Sequence, residues 1–343
     1  MIIMYSLFFL FITAAVLSWW ITGLVRIYAK KKGILDIPND RSSHRIPTPK
    51  GGGLGIVAAF LGGIIFLYCA GRLDLRSVMA YIGGGIFLAL VGWMDDKKSL
   101  PVLPRLLVHL SVSIWALFWL GGLKGITLGN YFFPFRWLGT VITIFGIAWF
   151  INLYNFMDGI DGIAGSQAVI AAFFGGICLF VRGNMELAFV SWLLAFSSLG
   201  FLIWNWPPAK IFMGDTGSCV LGYFFGVTAV ISENSGTFPL ITWLVLLGVF
   251  IVDSTLTLLR RFLSGEKWYE PHCTHAYQCA VRIGYSQHRV LLAAIMINLL
   301  LGIIALWGMF HLQLLLRILF GSYTMLLLLQ INILQNFVKT SGR

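Results

Sequence analysis

Acidic residues are scarce in this chain: 13 Asp and Glu stand against 24 Lys and Arg in 343 positions. Charge of either sign reaches only 11%, less than half the share of about 25% found in soluble domains. That shortage excludes a chain wrapped mainly in water. Cysteine is limited to Cys69, Cys178, Cys219, Cys273 and Cys279, an odd set scattered along the chain, and this excludes a disulfide framework. No internal repeat is visible, so the two halves are not inverted copies of a transporter. No soluble-looking stretch exceeds about 30 residues. The glycine run at 51–53 matches neither the P-loop nor the dinucleotide pattern.

What is abundant is apolar. Hydrophobic residues make up 59% of the chain, with 28 Phe and 13 Trp. Apolar runs of spanning length fall at 2–25, 52–70, 78–94, 103–121, 137–153, 163–181, 187–204, 216–232, 239–259, 290–308 and 312–335. Each approaches the roughly 20 residues that cross a bilayer. The first run lacks a basic start and is too long for a signal-peptide core, so it reads as a retained helix. The expectation is an all-α polytopic integral membrane protein, about 11 transmembrane helices in one domain over residues 1–343.

Lys and Arg are distributed unevenly between the loops. Arg26, Lys30, Lys31, Lys32, Arg41, Arg45 and Lys50 follow the first run, and Lys97, Lys98 and Arg105 the third. Lys210 follows the seventh, and Arg260, Arg261, Lys267, Arg282 and Arg289 the ninth. The alternate loops hold Arg72, Arg76, Lys124, Arg136 and Arg182. The positive-inside rule then puts the odd-numbered loops and the C-terminus in the cytoplasm and the N-terminus outside. The net charge of +11 is mostly this asymmetry. It lies beside membrane spans, which suits lipid headgroups or phosphate substrates and not nucleic acid.

Five of the few acids, Asp95, Asp96, Asp158, Asp161 and Asp215, fall at the cytoplasmic ends of these runs, in "WMDDKKS", "NFMDGIDG" and "FMGDTGS". Carboxylates at membrane depth are costly and usually functional. Hard oxygen ligands beside basic residues suit a divalent cation that holds phosphates. Asp95 and Asp96 are adjacent and point in different directions on a helix. Asp158 and Asp161 share a face, with Asn155 one turn earlier. The bland alternative is capping, with Asp215 capping the helix it opens. Asn205 in "WNWPP" has a similar alternative as a turn cap, and Asp253, deep in the ninth run, reads as structural. The glycine run opening the second helix offers NH groups to a phosphate. The loop from Arg260 to Arg289 is basic and aromatic, with an interfacial amphipathic helix expected between Glu270 and Gln287. Its His272, Cys273, His275 and Cys279 fit no common structural zinc spacing.

The stretches "HRIPTPKGGG", "DDKKSLPVLPRLL", "NLYNFMDGIDGIAG", "WNWPPAKIFMGDTGSCVLG", "VDSTLTLLRR" and "HCTHAYQ" together resemble the polyprenyl-phosphate N-acetylhexosamine-1-phosphate transferases, the WecA, MraY and WbpL type of glycosyltransferase family 4. The last stretch is similar to the WbpL-like branch that starts O-antigen chains. The resemblance implies a bacterial inner-membrane enzyme with a cytoplasmic active site. It would transfer N-acetylhexosamine 1-phosphate from a UDP-sugar to undecaprenyl phosphate and release UMP, opening O-antigen or related surface polysaccharide synthesis. It implies Mg²⁺, with Mn²⁺ as the alternative, on Asp215 and Asn155. It places Asp95 and Asp96 at the lipid phosphate, and Asp158 and Asn205 in the nucleotide pocket. Asp161 would accept from the uracil NH, and Phe212 would stack on that ring. Lys50, Arg105 and His275 would hold phosphates. A homodimer is compatible with the resemblance, and the branch points to a 6-deoxy N-acetyl sugar, with N-acetylglucosamine as competitor. Two rivals fit less well. A transporter of an anionic solute would place its acids at mid-bilayer, and a CDP-dependent phosphatidyltransferase would carry its aspartates in one tight run.

Overall fold

The structure, a computed structural model, describes residues 2–38, 46–267 and 272–341, with the side chains of 2–8 and 341 left aside. Arg41 and Arg45 of the first basic loop, and Glu270 at the start of the expected interfacial helix, lie outside the described residues. Among the described residues, thirteen α-helices make up most of the backbone: α1 (Ile2–Lys32), α2 (Leu54–Cys69), α3 (Leu75–Lys97), α4 (Val102–Leu120), α5 (Trp137–Phe156), α6 (Ile163–Val181), α7 (Met185–Asn205), α8 (Asp215–Asn234), α9 (Leu240–Leu246), α10 (Gly248–Leu263), α11 (Ala276–Arg282), α12 (Gln287–Met309) and α13 (Leu315–Ser341). The strands form two small antiparallel hairpins, β1 (Leu35–Asp36) with β2 (Thr48–Pro49) and β3 (Gly125–Leu128) with β4 (Tyr131–Pro134). The fold is all-α and polytopic, as the apolar runs predict.

Among the described residues, nine helices are long and apolar enough to cross a membrane, and α9 with α10 adds a tenth span as a bent pair. Helix α2 is apolar but only 16 residues long. These elements correspond one to one with the eleven apolar runs. The run 239–259 is the exception in shape: it breaks after Leu246, and its halves meet at 81°. A broken helix inside a bilayer frees carbonyls that water cannot satisfy, so neighbouring side chains must reach them. Gln167 Nε2 donates to the Leu246 carbonyl at 3.0 Å, and Tyr323 Oη to the Leu244 carbonyl at 3.0 Å.

Helix α8 is the centre of the bundle. It packs on α3 and α5, and every residue from Thr216 to Val230 is buried. Much of the core is aromatic: Phe60 lies on Phe224 with ring centroids 4.3 Å apart, and Tyr154 stacks on Phe225 at 5.6 Å. The first turn of α8 also meets the start of α2, backbone to backbone. A Cβ on Gly53 would lie 2.2 Å from the Gly217 Cα, so glycine is required for this approach. Gly52 N and Gly53 N donate to the carbonyls of Phe212 and Met213, each at 2.9 Å. The glycine run therefore binds the chain's own backbone, and these two NH groups are not open to a phosphate as the sequence suggested.

Candidate active site

Four helix ends meet at one end of the bundle. Helix α3 brings Asp95 and Asp96 in its last turn, α4 brings Arg105 in its first, α5 brings Asn155 in its last, and α8 begins at Asp215. Arg105 is the hub. Its Nη2 donates to Asn155 Oδ1 at 3.1 Å and lies 3.3 Å from Asp215 Oδ2, while Nη1 lies 3.6 Å from Asp95 Oδ2. Asn155 Nδ2 in turn donates to Asp215 Oδ1 at 2.9 Å and to Ser218 Oγ at 3.0 Å. Arg105 and Asp215 both keep part of their surface, 28% and 24% of the side chain, so an incoming anion can reach them. His109, one turn past Arg105, is buried along the same crevice with Cys219.

Asp96 has a different position from its neighbour. Both acids are buried, but the two oxygens of Asp96 receive hydrogen bonds from the start of α8. Asp215 N donates to Oδ1 at 3.0 Å; Thr216 N and Thr216 Oγ1 donate to Oδ2 at 3.3 and 2.6 Å. The first NH groups of a helix have no partner inside it, and here a carboxylate from another helix supplies one. Asp215 is therefore the first residue of the capped helix and not its cap. The expectation that Asp96 faces the lipid phosphate meets this competing use of both its oxygens. Gly214 makes the arrangement possible. It has φ +73°, and a Cβ there would lie 2.4 Å from Asp96 Oδ2. Gly214→Ala should lower the thermal midpoint, at about 2–4 kcal/mol for left-handed strain plus the clash. A melt in detergent at the wild-type midpoint would show that the carboxylate can move aside.

The loop 157–162 and the strap 206–214 run beside this centre. Asp161 Oδ2 accepts from Ala209 N at 2.9 Å. Asn205 is buried, and both ends of its carboxamide are engaged: Oδ1 accepts from Gly162 N at 2.9 Å, and Nδ2 donates to the Ile211 carbonyl at 3.0 Å. The turn-pinning alternative thus describes Asn205 better than a place in the nucleotide pocket. Phe212 is held by its backbone, with its N donating to the Pro49 carbonyl at 2.8 Å. Lys50 is partly buried and within electrostatic reach of Asp96. Asp158 is close to Asp215, Asp96 and Asp161; burial and then these like charges push its carboxyl up to about 8.

His275 belongs to a second cluster. Its Nδ1 lies 3.4 Å from Asp253 Oδ1. Asp253 also caps α11, accepting from Ala276 N at 2.9 Å and Tyr277 N at 3.3 Å. The structural reading of Asp253 agrees with these bonds. The cluster touches the first through α5: Tyr277 Oη donates to the Phe156 carbonyl at 3.2 Å, and the rings of Phe156 and His275 are 6.4 Å apart. Helix α11 is only seven residues long, and four of them are buried. It docks on the bundle and is not the interfacial helix expected from Glu270 to Gln287. Burial of its Tyr277 pushes that hydroxyl well above its ordinary range. Cys273 accepts from Arg282, and Cys279 is buried.

Three participants escaped the sequence reading. Ser218 carried a usable signal, since it lies one turn after Asp215 on the same helix face. Thr216 and Tyr277 carried none, because their partners come from α3 and α5.

A polytopic helical bundle with a guanidinium and several carboxylates at one end defines a membrane enzyme that handles anionic substrates. Residues 78–233 match glycosyl transferase family 4. The chain is 31% identical over 333 residues to the decaprenyl-phosphate N-acetylglucosaminephosphotransferase of Mycobacterium leprae (strain TN), covering 86% of this chain and 81% of that protein. It is 28% identical over 297 residues to the probable undecaprenyl-phosphate N-acetylglucosaminyl 1-phosphate transferase of Bacillus subtilis (strain 168), covering 83% and 80%. It is 25% identical over 304 residues to the undecaprenyl-phosphate alpha-N-acetylglucosaminyl 1-phosphate transferase of Escherichia coli (strain K12), covering 82% and 78%. The chain belongs to glycosyl transferase family 4.

Proposed function

We propose that the protein transfers N-acetylhexosamine 1-phosphate from a UDP-sugar to undecaprenyl phosphate, on the cytoplasmic face of a bacterial inner membrane, as a step of cell envelope synthesis. The observation that carries this reading is Arg105, held among Asp95, Asn155 and Asp215 where four helix ends meet. Phosphoryl transfer depends on positioning and charge neutralisation more than on covalent chemistry by the protein. A guanidinium presents several donors to phosphate oxygens in a fixed fork. Here it is already aligned by three acceptors, so a phosphate need only displace some of them. The relatives named above support the substrate classes, and the Lys and Arg asymmetry supports the cytoplasmic side.

In this reading an oxygen of the lipid phosphate attacks the β-phosphorus of the UDP-sugar. The P–O bond to the α-phosphate oxygen breaks, UMP leaves with that electron pair, and a lipid diphosphate sugar remains. Arg105 and Lys50 hold phosphate oxygens, and His275 borders the site. Asp95, with one oxygen towards Arg105, is better placed than Asp96 to meet the lipid phosphate. Asp161 and Phe212 take the uracil. Asp96 and Asn205 act as positioning residues.

The donor set also suits Mg²⁺, or Mn²⁺ in its place. Asp215, Asn155 and Ser218 present hard oxygens, and the Asp158 carboxyl lies among like charges that a cation would neutralise. Among the described residues no three His, Cys, Asp or Glu side chains form a metal-binding group by themselves. Phosphate oxygens and water would have to complete the shell, as Mg²⁺ usually requires. Bound there, the cation would neutralise the charge of the diphosphate.

The test is release of UMP by the purified protein from a panel of UDP-N-acetyl sugars with undecaprenyl phosphate and Mg²⁺. UMP should appear only when both substrates are present and vanish with EDTA. The relatives favour N-acetylglucosamine over the 6-deoxy sugars of the O-antigen branch, and mass spectrometry of the lipid product decides between them. No UMP from any sugar would remove the reading.

A further inference from the structure

Beside the catalytic centre, at the far end of the 206–214 strap from Asp215, two cations converge on one indole. Arg26, near the end of α1, has its Cζ 5.4 Å from the Trp204 ring centroid, and Lys210 of the 206–214 strap has its Nζ 5.6 Å from the same ring. The backbone fixes this convergence. Arg26 Nε donates to the Lys210 carbonyl at 3.3 Å, and Lys210 N donates to the Trp204 carbonyl at 2.9 Å. Among the described residues no acid forms an ion pair with either cation. The indole face attracts each cation, but two like charges sharing one ring still repel each other, and an anion between them would relieve that repulsion.

The surface next to this pair is apolar. Trp19 stacks on Trp204 at 6.1 Å, and Trp19, Ile27 and Ile203 are exposed. The apolar exposed face of α1 gives way to Lys30, Lys31 and Lys32 within two turns of Arg26. Cations directly above an exposed apolar face match a molecule with an anionic head and acyl chains. A soluble phosphate would match the cations alone.

We propose that Arg26, Lys210 and Trp204 form a binding site for the phosphate of an anionic glycerophospholipid, whose chains lie along α1 and α7 past Trp19 and Ile203. The site reaches beyond lipid anchoring, because Lys210 is part of the strap leading to Asp215. That strap is tied to Asp161 through Ala209 N and to the Pro49 carbonyl through Phe212 N. A headgroup bridging α1 and the strap would hold the backbone from which α8 starts.

The experiment is native mass spectrometry of the full-length protein released from nanodiscs of mixed phosphatidylglycerol and phosphatidylcholine. The wild type should retain phosphatidylglycerol preferentially. Arg26→Gln with Lys210→Gln should weaken that retention roughly 30-fold, and Lys210→Gln alone, which leaves its backbone bonds intact, roughly fivefold. Lys30→Gln with Lys31→Gln removes equal charge from the same helix end and should retain the lipid as the wild type does. The proposal is overturned if Lys210→Gln changes nothing, or if the Lys30 and Lys31 pair loses as much as the Arg26 and Lys210 pair. It is also overturned if millimolar inorganic phosphate displaces the lipid, which would indicate a site for soluble phosphate. Retention is read without turnover, so this result is independent of whether the transfer reaction is confirmed.

Discussion

Replacing Asp215 by asparagine should lower UMP release about 10³-fold in a protein that still folds. The separation of the two effects follows from where the residue sits. Its side chain faces Arg105 and Asn155 at the open end of the bundle, while its backbone NH, not its carboxylate, is held by Asp96. Asparagine keeps the backbone bond and the side-chain volume. It loses a negative charge in the first turn of α8, worth about 0.3–1 kcal/mol to the helix. The thermal midpoint should therefore fall only slightly. The chemical loss is larger because Arg105 loses one of its two carboxylate partners and the proposed cation site loses its first carboxylate. Activity above a tenth of wild type would remove Asp215 from the site, whereas an aggregated or unfolded protein would refute the claim that the carboxylate is not structural. A matched measurement with Arg105→Gln should raise KM for the phosphorylated substrates as well as lowering kcat, since the guanidinium binds them in the ground state too.

Much of the fold was legible because the bilayer limits the alternatives. An apolar run near 20 residues long has one conformation that satisfies its own backbone there, the helix, and all eleven runs became helical. The break at Leu247 was not legible. Its run is continuously apolar, and the features that stabilise the break, Gln167 and Tyr323, lie in α6 and α13. Composition reports the span; tertiary partners decide whether it stays whole.

The candidate site divides in the same way. That Asp95 and Asp215 belong together was readable from their common position at run ends near one face, and the family resemblance added Asn155 and Arg105. What each side chain does there depends on its partner. Asp95 and Asp96 are indistinguishable in a sequence, yet one divides its oxygens between Arg105 and Leu100 N while the other gives both to the start of α8. Asn205 appeared to be available for a ligand until its partners, Gly162 N and the Ile211 carbonyl, were known. The same use of an acid recurs at Asp253, which receives the first NH groups of α11 as Asp96 receives those of α8. In both places a carboxylate from a spanning helix anchors the helix start next to it. That is a structural reason for acids at membrane depth, one the sequence suggested for Asp253 and not for Asp96.

Asp96→Ala and Asp95→Asn should therefore fail in opposite ways. Asp96→Ala leaves Asp215 N, Thr216 N and Thr216 Oγ1 without an acceptor in a buried place. Unpaired buried donors are expensive, and the combined loss should be about 3–5 kcal/mol. The predicted result is a strongly lowered thermal midpoint, with turnover lost because α8 no longer starts in register. Asp96→Asn retains one acceptor oxygen and should fall between this variant and wild type. Asp95→Asn keeps an oxygen for Leu100 N and loses its charge towards Arg105 and Asp215. It should melt near wild type yet lose UMP release by about 10²-fold or more. Melting and turnover measured on all three variants separate the two roles. If Asp96→Ala melts like wild type while losing turnover, the Asp96 carboxylate acts on substrate, and its bonds to α8 are incidental. The predicted order, stability lost at Asp96 and activity lost at Asp95, follows from α8 being the most buried helix of the bundle. A defect in its first turn is transmitted to the core on both sides, to α3 and α5, whereas Asp95, itself buried, borders the crevice beside Arg105.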